Sequence, residues 1–309
     1  MTAATFERTI ALSAIGQDEF ESVHSPLWTW PNSTVVPGGT LVALAAAAAY
    51  ETVGSDFAID TLHTYFVAGP KHDQLLRFQV QRLNDGGRFL TRVVTIKQAG
   101  KVVVHVSCSF VRIAAMAGPS MTHAVRRRCS SKVDKINIDD LEVGKNSQGP
   151  VMKFQRLSVT PTHASEGIHS STPDSLTYTS VATVSPSLQS QDPRIHALGI
   201  IALSDYHVLD APPTLHSIPF GLPAIDDHSR SPQPTHFGLF TSLNHTIRFH
   251  LHEGFPADEL CYIEVNSPWT AKRRAEVQSR IFSTDGRLVA SCVQGAYYVL
   301  KGDEERSKL

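Results

Sequence analysis

The chain lacks the marks of several functional classes. It has no basic excess: 28 Lys+Arg stand against 29 Asp+Glu in 309 residues. A nucleic-acid partner, whose phosphates call for a positive surface, is therefore not expected. Its four cysteines, Cys108, Cys129, Cys261 and Cys292, are too few and too scattered for a disulfide framework or a zinc cluster. They read instead as small core residues in a reducing compartment. No apolar run reaches the roughly 20 residues that span a bilayer. The longest, residues 41–49, is also too short and too poorly flanked for a signal peptide. No Gly-x-Ser-x-Gly elbow presents a nucleophilic serine. His250 and His252 share a strand face without an evident third ligand, so neither a metal site nor a cofactor is expected.

What is present is a repeated order of signals. In the first half, Gly38-Gly39 opens an Ala-rich helical segment to about Val53. Extended stretches follow at 61–67, 75–83, 89–97 and 101–112, with turns at 84–87 and 98–100. In the second half an apolar helical segment runs from Ile195 to about Leu209, and extended stretches follow at 243–251, 260–266, 274–282 and 287–300. His63-Thr64 matches His245-Thr246, and Gly100-Lys101 matches Gly286-Arg287. A helix followed by consecutive strands, given twice, predicts two α+β units with mainly antiparallel sheets. The first helix, with alanine at 43 and at 45–49, is apolar on every side. A helix of that kind is buried, and its small side chains let a curved sheet close tightly around it.

Two positions stand out chemically. The neighbours of Asp205 at helical spacing are Ile201, Ala202, Val208 and Leu209, all apolar. A carboxylate on that face is desolvated, its pKa is expected to rise, and a general base for water results. The competing reading is a buried Asp satisfied by backbone amides. Gln294 shares a strand face with the small residues Ala290, Cys292 and Ala296, where its amide can reach a buried water or, alternatively, pair with backbone.

These residues resemble the acyl-CoA thioesterase II family, whose members are double-hotdog hydrolases. The first-half match is Gly38-Gly39, His63-Thr64-Tyr65-Phe66 with Gly69, Asp85-Gly86-Gly87-Arg88-Phe89 and Arg92-Val93-Val94. The second-half match is Asp192-Pro193, His196, Ser204-Asp205, Ser242-Leu243-Asn244-His245-Thr246, Phe249-His250, the run from Asp285 to Ser291, and Val293-Gln294. The resemblance implies a boundary set of 1–113 for an N-terminal hotdog domain, 114–150 for a linker, 151–300 for a C-terminal hotdog domain and 301–309 for an exposed tail. Each domain is an antiparallel curved sheet wrapped around a central helix. It further implies a carboxylate, a hydroxyl and a Gln that hold and activate one water, here Asp205, Ser242 and Gln294. Two positions depart from the family pattern: Thr40 replaces the Gln after the paired glycines, and Asn244 replaces the acid of an Asp-His pair.

An oxyanion forming during water attack is stabilised by amides at a helix N-terminus. Gly38-Gly39 before the first helix and the start of the helix leading to Asp205 are both candidates at this point. Gly38, Gly39, His63, Arg273 and Arg274 are the candidate substrate-binding residues, the arginines for the phosphates of coenzyme A; the run from Arg126 to Arg128 is a further basic cluster, and a solvated charge run is the alternative for both. Expected partners are an acyl-CoA and a second copy of the chain. The tripeptide Ser307-Lys308-Leu309 is expected to engage the peroxisomal import receptor and place the protein in peroxisomes. An enoyl-CoA hydratase or dehydratase on the same fold, and a non-catalytic acyl-CoA-binding protein, are the alternatives. The irregular stretch 210–235 reads as a lid, a tunnel wall or a solvated insertion.

Overall fold

The computed structural model describes residues 5–30, 33–127, 136–137, 141–143, 151–162, 172–223, 225 and 233–302. Cys129, Arg128 and the tripeptide at 307–309 lie outside them, as do parts of the 114–150 and 210–235 stretches.

The first half contains α1 (Phe6–Thr9), β1 (Leu12–Gly16), β2 (Glu19–Ser22), α2 (Gly38–Tyr50), β3 (Phe57–Phe66), β4 (Arg77–Asp85), β5 (Phe89–Gln98) and β6 (Lys101–Arg112). The second contains β7 (Glu142–Val143), β8 (Met152–Pro161), β9 (Leu176–Val184), α3 (Pro193–Leu203), α4 (Ala211–Leu215), β10 (Phe237–Phe249), β11 (Cys261–Ala271), β12 (Arg274–Phe282) and β13 (Leu288–Leu300). All pair antiparallel in one sheet of order β1-β2-β4-β5-β6-β3-β10-β13-β12-β11-β9-β8-β7. The two halves mirror each other about the β3–β10 seam. Each runs hairpin, helix, four strands, the second half adding β7 before its hairpin and α4 after its helix; α2 packs on β5, β6 and α3, and α3 on β9.

The expected α+β double hotdog is the fold observed. The hairpin that opens each half, β1–β2 and β8–β9, is not part of the pattern expected from sequence. β10 begins six residues before its expected start, and β7 lies inside the stretch expected to be linker.

Local causes are plain. From Gly39 to Tyr50 every residue of α2 is buried, which the Ala run permits because alanine combines the best helix propensity with the least volume. In β5, buried Leu90, Arg92, Val94 and Ile96 alternate with more exposed residues at period two. Arg92 breaks the apolar rule but is satisfied: it donates to Thr52 Oγ1 at 2.8 Å and to Asp85 at 2.5 Å, and also to the Thr52, Asn84 and Thr91 carbonyls. The helices α2 and α3 lie antiparallel, so the start of one meets the end of the other. No helix among the described residues is long and apolar enough to cross a membrane. Cys108, Cys261 and Cys292 are buried free thiols.

Candidate active site

At one end of the helix pair, α2 begins where α3 ends. Neither Gly38 nor Gly39 has room for a Cβ. One built on Gly39 would stand 2.4 Å from the Ala202 carbonyl oxygen, and one on Gly38 would stand 2.7 Å from Asp205 Oδ2 and 3.0 Å from Phe66. The paired glycines are therefore a close-approach device. The Gly39 N–H donates to Asp205 Oδ2 at 2.8 Å.

Asp205 itself is not helical. The apolar pattern predicts helix to about Leu209, but α3 stops at Leu203 and Asp205 occupies the turn that follows. This turn carries His207 in the left-handed region (φ 59°) and stacks its ring on Phe154 at 4.0 Å. From this turn Asp205 reaches both α2 and β13.

Gln294 projects inward from β13, and its Nε2 donates to Asp205 Oδ1 at 2.5 Å and also to Ser242 Oγ. Ser242 Oγ in turn donates to Asp205 Oδ1 at 3.4 Å. The trio, 37 and 89 residues from Asp205 along the chain, is thus brought together. Burial pushes the Asp205 carboxyl up to about 6, against the lowering effects of the hydrogen bonds from Gln294, Gly39 and Ser242. At neutral pH such a group is ionised yet basic enough to take a proton from water.

Ser242 is aimed by a bulge. The β10–β13 register slips between Ser242 and Asn244, and the Gly295 N–H donates to Asn244 Oδ1 at 3.2 Å. A Cβ on Gly295 would meet Asn244 Nδ2 at 2.8 Å. Asn244, a departure from the family pattern, therefore clamps the bulge beside Gln294. A glycine inside a strand was the available signal for it.

The other candidates are placed differently. His63 projects from the opposite face of the sheet, its Nδ1 within 3.1 Å of Thr246 Oγ1, and does not join the trio. Arg273 sits in the β11–β12 turn with Lys272, at φ 64° and 50°. Arg274 lies over the Trp269 ring at 5.5 Å and is the cross-strand partner of Tyr297. That is three residues along β13 from Gln294, or roughly 10 Å. Arg127 lies 5.5 Å from the Tyr262 ring. His250 contacts Ser291 Oγ, and among the described residues no group of three His, Cys, Asp or Glu is arranged to hold a metal.

The candidate helix N-termini separate clearly. Asp192 caps α3, accepting the Arg194 N–H at 2.9 Å. α3 is 11 residues long, so its N-terminus lies roughly 16 Å from the end that carries Asp205. The start of α2 is the one in contact.

A family model described as the acyl-CoA thioesterase C-terminal domain matches residues 138–298, and one described as the N-terminal domain matches 27–111. The chain belongs to the acyl-CoA thioesterase II family. By that membership it is an acyl-CoA thioester hydrolase. This thioesterase is 26% identical to human acyl-coenzyme A thioesterase 8 and 23% to the mouse protein, in each case over 96% of this chain and 90% of the relative. Its fold matches an acyl-CoA thioesterase II from Mycobacterium marinum (TM-score 0.69, 20% identity, 96% of this chain and 98% of that one). It also matches a thioesterase II described as putative from Thermobifida fusca (0.67, 13%, 97% and 99%).

Proposed function

We propose that Asp205, Ser242 and Gln294 hold one water and that Asp205 deprotonates it for attack on the acyl-CoA carbonyl. The carrying observation is a desolvated carboxylate met by three donors from three separate elements: the Gly39 amide of α2, the Ser242 hydroxyl of β10 and the Gln294 amide of β13. Water adds to the carbonyl carbon as its proton passes to an Asp205 oxygen. The resulting oxyanion is met by the amides that open α2 beside Gly39, which are preorganised and need no movement. Collapse expels the coenzyme A thiolate, which takes up the proton, and leaves the free acid. Gly38 and Gly39 give the thioester its close approach to the backbone, and Arg273 and Arg274 meet the phosphates of coenzyme A at the rim.

The reading extends to a homodimer. It also extends to peroxisomal import through Ser307, Lys308 and Leu309 where that tripeptide is the free end of the chain. Light scattering and imaging of a fusion that leaves this end exposed test both.

The mechanism is tested by trapping free thiol from an acyl-CoA panel running from short to long chains and including branched and hydroxylated ones. Steady thiol release that collapses in Asp205→Asn is expected. Hydration of an enoyl-CoA without thiol release would instead favour a hydratase, and binding without turnover would favour a silent acyl-CoA-binding protein.

A further inference from the structure

Beyond Asp205, its turn is fastened at points that the water-activating trio does not explain. β13 directs Gln294, Ala296 and Tyr298 inward in a row. Gln294 holds Asp205, and four residues further on the Tyr298 hydroxyl donates to the Leu209 carbonyl at 2.8 Å. The spacing matches on both sides: Leu209 is four positions after Asp205, as Tyr298 is four positions after Gln294. The next residue, Asp210, is 1% exposed and accepts from the hydroxyl of fully buried Tyr178 on β9, Oη to Oδ2, at 3.1 Å. Its Oδ1 has no hydrogen-bond partner. A buried, half-satisfied carboxylate is costly, and burial pushes this one up to about 7, opposed by the Arg156 charge and by Tyr178. The contact it does make, with the Tyr178 hydroxyl, ties the end of the turn to β9.

We propose that Tyr298 and Asp210 are positioning residues that hold the Asp205 turn against β13 and β9, setting the carboxylate at its working distance from Gln294. The proposal rests on the reading of Asp205 as the base. Tyr298 fixes the backbone at Leu209, and Asp210 anchors the far end of the turn through Tyr178, before α4 begins. Neither touches substrate; both act through where they leave Asp205.

The test compares thiol release by Tyr298→Phe, Asp210→Ala, Asp210→Asn and Asp205→Asn. Phe78→Leu, in the core of the first half, serves as a control for lost stability. Tyr298→Phe and Asp210→Ala are expected to lower kcat about tenfold with KM within about twofold. Asp210→Asn keeps an oxygen for the Tyr178 hydroxyl and is expected to stay within about threefold of wild type. Phe78→Leu, though less stable, is expected to keep its kcat. Full kcat in Tyr298→Phe and Asp210→Ala, or equal loss in Asp210→Asn and Asp210→Ala, overturns the positioning role. If Asp205→Asn is inactive in that case, the base assignment stands alone. If Asp205→Asn retains thiol release, the base assignment fails and the positioning role falls with it.

Discussion

The two ends of the antiparallel helix pair are built from the same parts and hold opposite chemistry. Where α2 starts and α3 ends, a helix N-terminus with two glycines faces a carboxylate, and the Gly39 amide donates to Asp205. Where α3 starts and α2 ends, the N-terminus is closed by Asp192. The Arg194 guanidinium fills the remaining space, lying 4.8 Å from the Tyr50 ring and donating to the Gly54 carbonyl and, at 3.4 Å, to that of Val53. Two residues past α2, in the place that Asp205 takes past α3, stands Thr52, engaged by the buried Arg92. One end leaves amides aimed at a basic carboxylate; the other spends its polar groups on each other. The difference teaches that two like termini can be put to different use: at one an amide holds the Asp205 carboxylate, and at the other the terminus is closed by its own cap.

Substitutions at the two ends break or sharpen that contrast. The largest effect is expected from Asp205→Asn, about 10³-fold in kcat, against Arg194→Met at the other end, which is expected to lose stability while keeping kcat within about twofold. Equal losses of kcat in the two variants, measured as steady-state thiol release, would erase the asymmetry. Next is Gly39→Ala, whose Cβ must push Ala202 and Asp205 away, with kcat expected to fall about 10²-fold. Gly54→Ala is a control at the other end; the new Cβ would press on the Asp56 carboxylate, at 2.8 Å, and kcat is expected to hold. Third is pH. The Asp205 carboxyl is raised to about 6, and the proposed mechanism needs it ionised. The kcat/KM profile is therefore expected to fall tenfold per unit as pH drops below about 6, with the same midpoint in Arg194→Met. The smallest effect is Asp192→Ala, which removes the cap of α3. A loss of about 1 kcal/mol, read as a Tm lower by about 2–4 °C with kcat unchanged, is expected.

Much of this was legible from sequence, for identifiable reasons. The four strands after each helix alternate apolar and polar residues because one face is covered and the other is not. β9 is buried along nearly its whole length on both faces, so it has no alternation to read. β1 is a largely exposed edge strand with little apolar signal. The desolvation of Asp205 follows from apolar neighbours, but no Gly or Pro marks the end of α3, and so the apolar pattern continues as helix through the turn that carries the carboxylate. The meeting of Asp205 with Ser242 and Gln294 is a tertiary event; local pattern identified two of the three and only the family resemblance joined them. Arg92 illustrates the opposite limit: a charge at an inward strand position gives no local hint that Thr52 and Asp85 wait for it.

The β3–β10 seam has a further consequence. Because a hydrogen-bonded ladder joins the halves and one covalent chain supplies both, mutation acts on each half separately. Two identical subunits related by a twofold axis would have to present the same side chains at both ends of the helix pair, and any gain at one would be imposed on the other. A duplicated, linked chain escapes that constraint. It keeps the symmetric scaffold while dividing labour, one end free to specialise in chemistry and its twin to bear load.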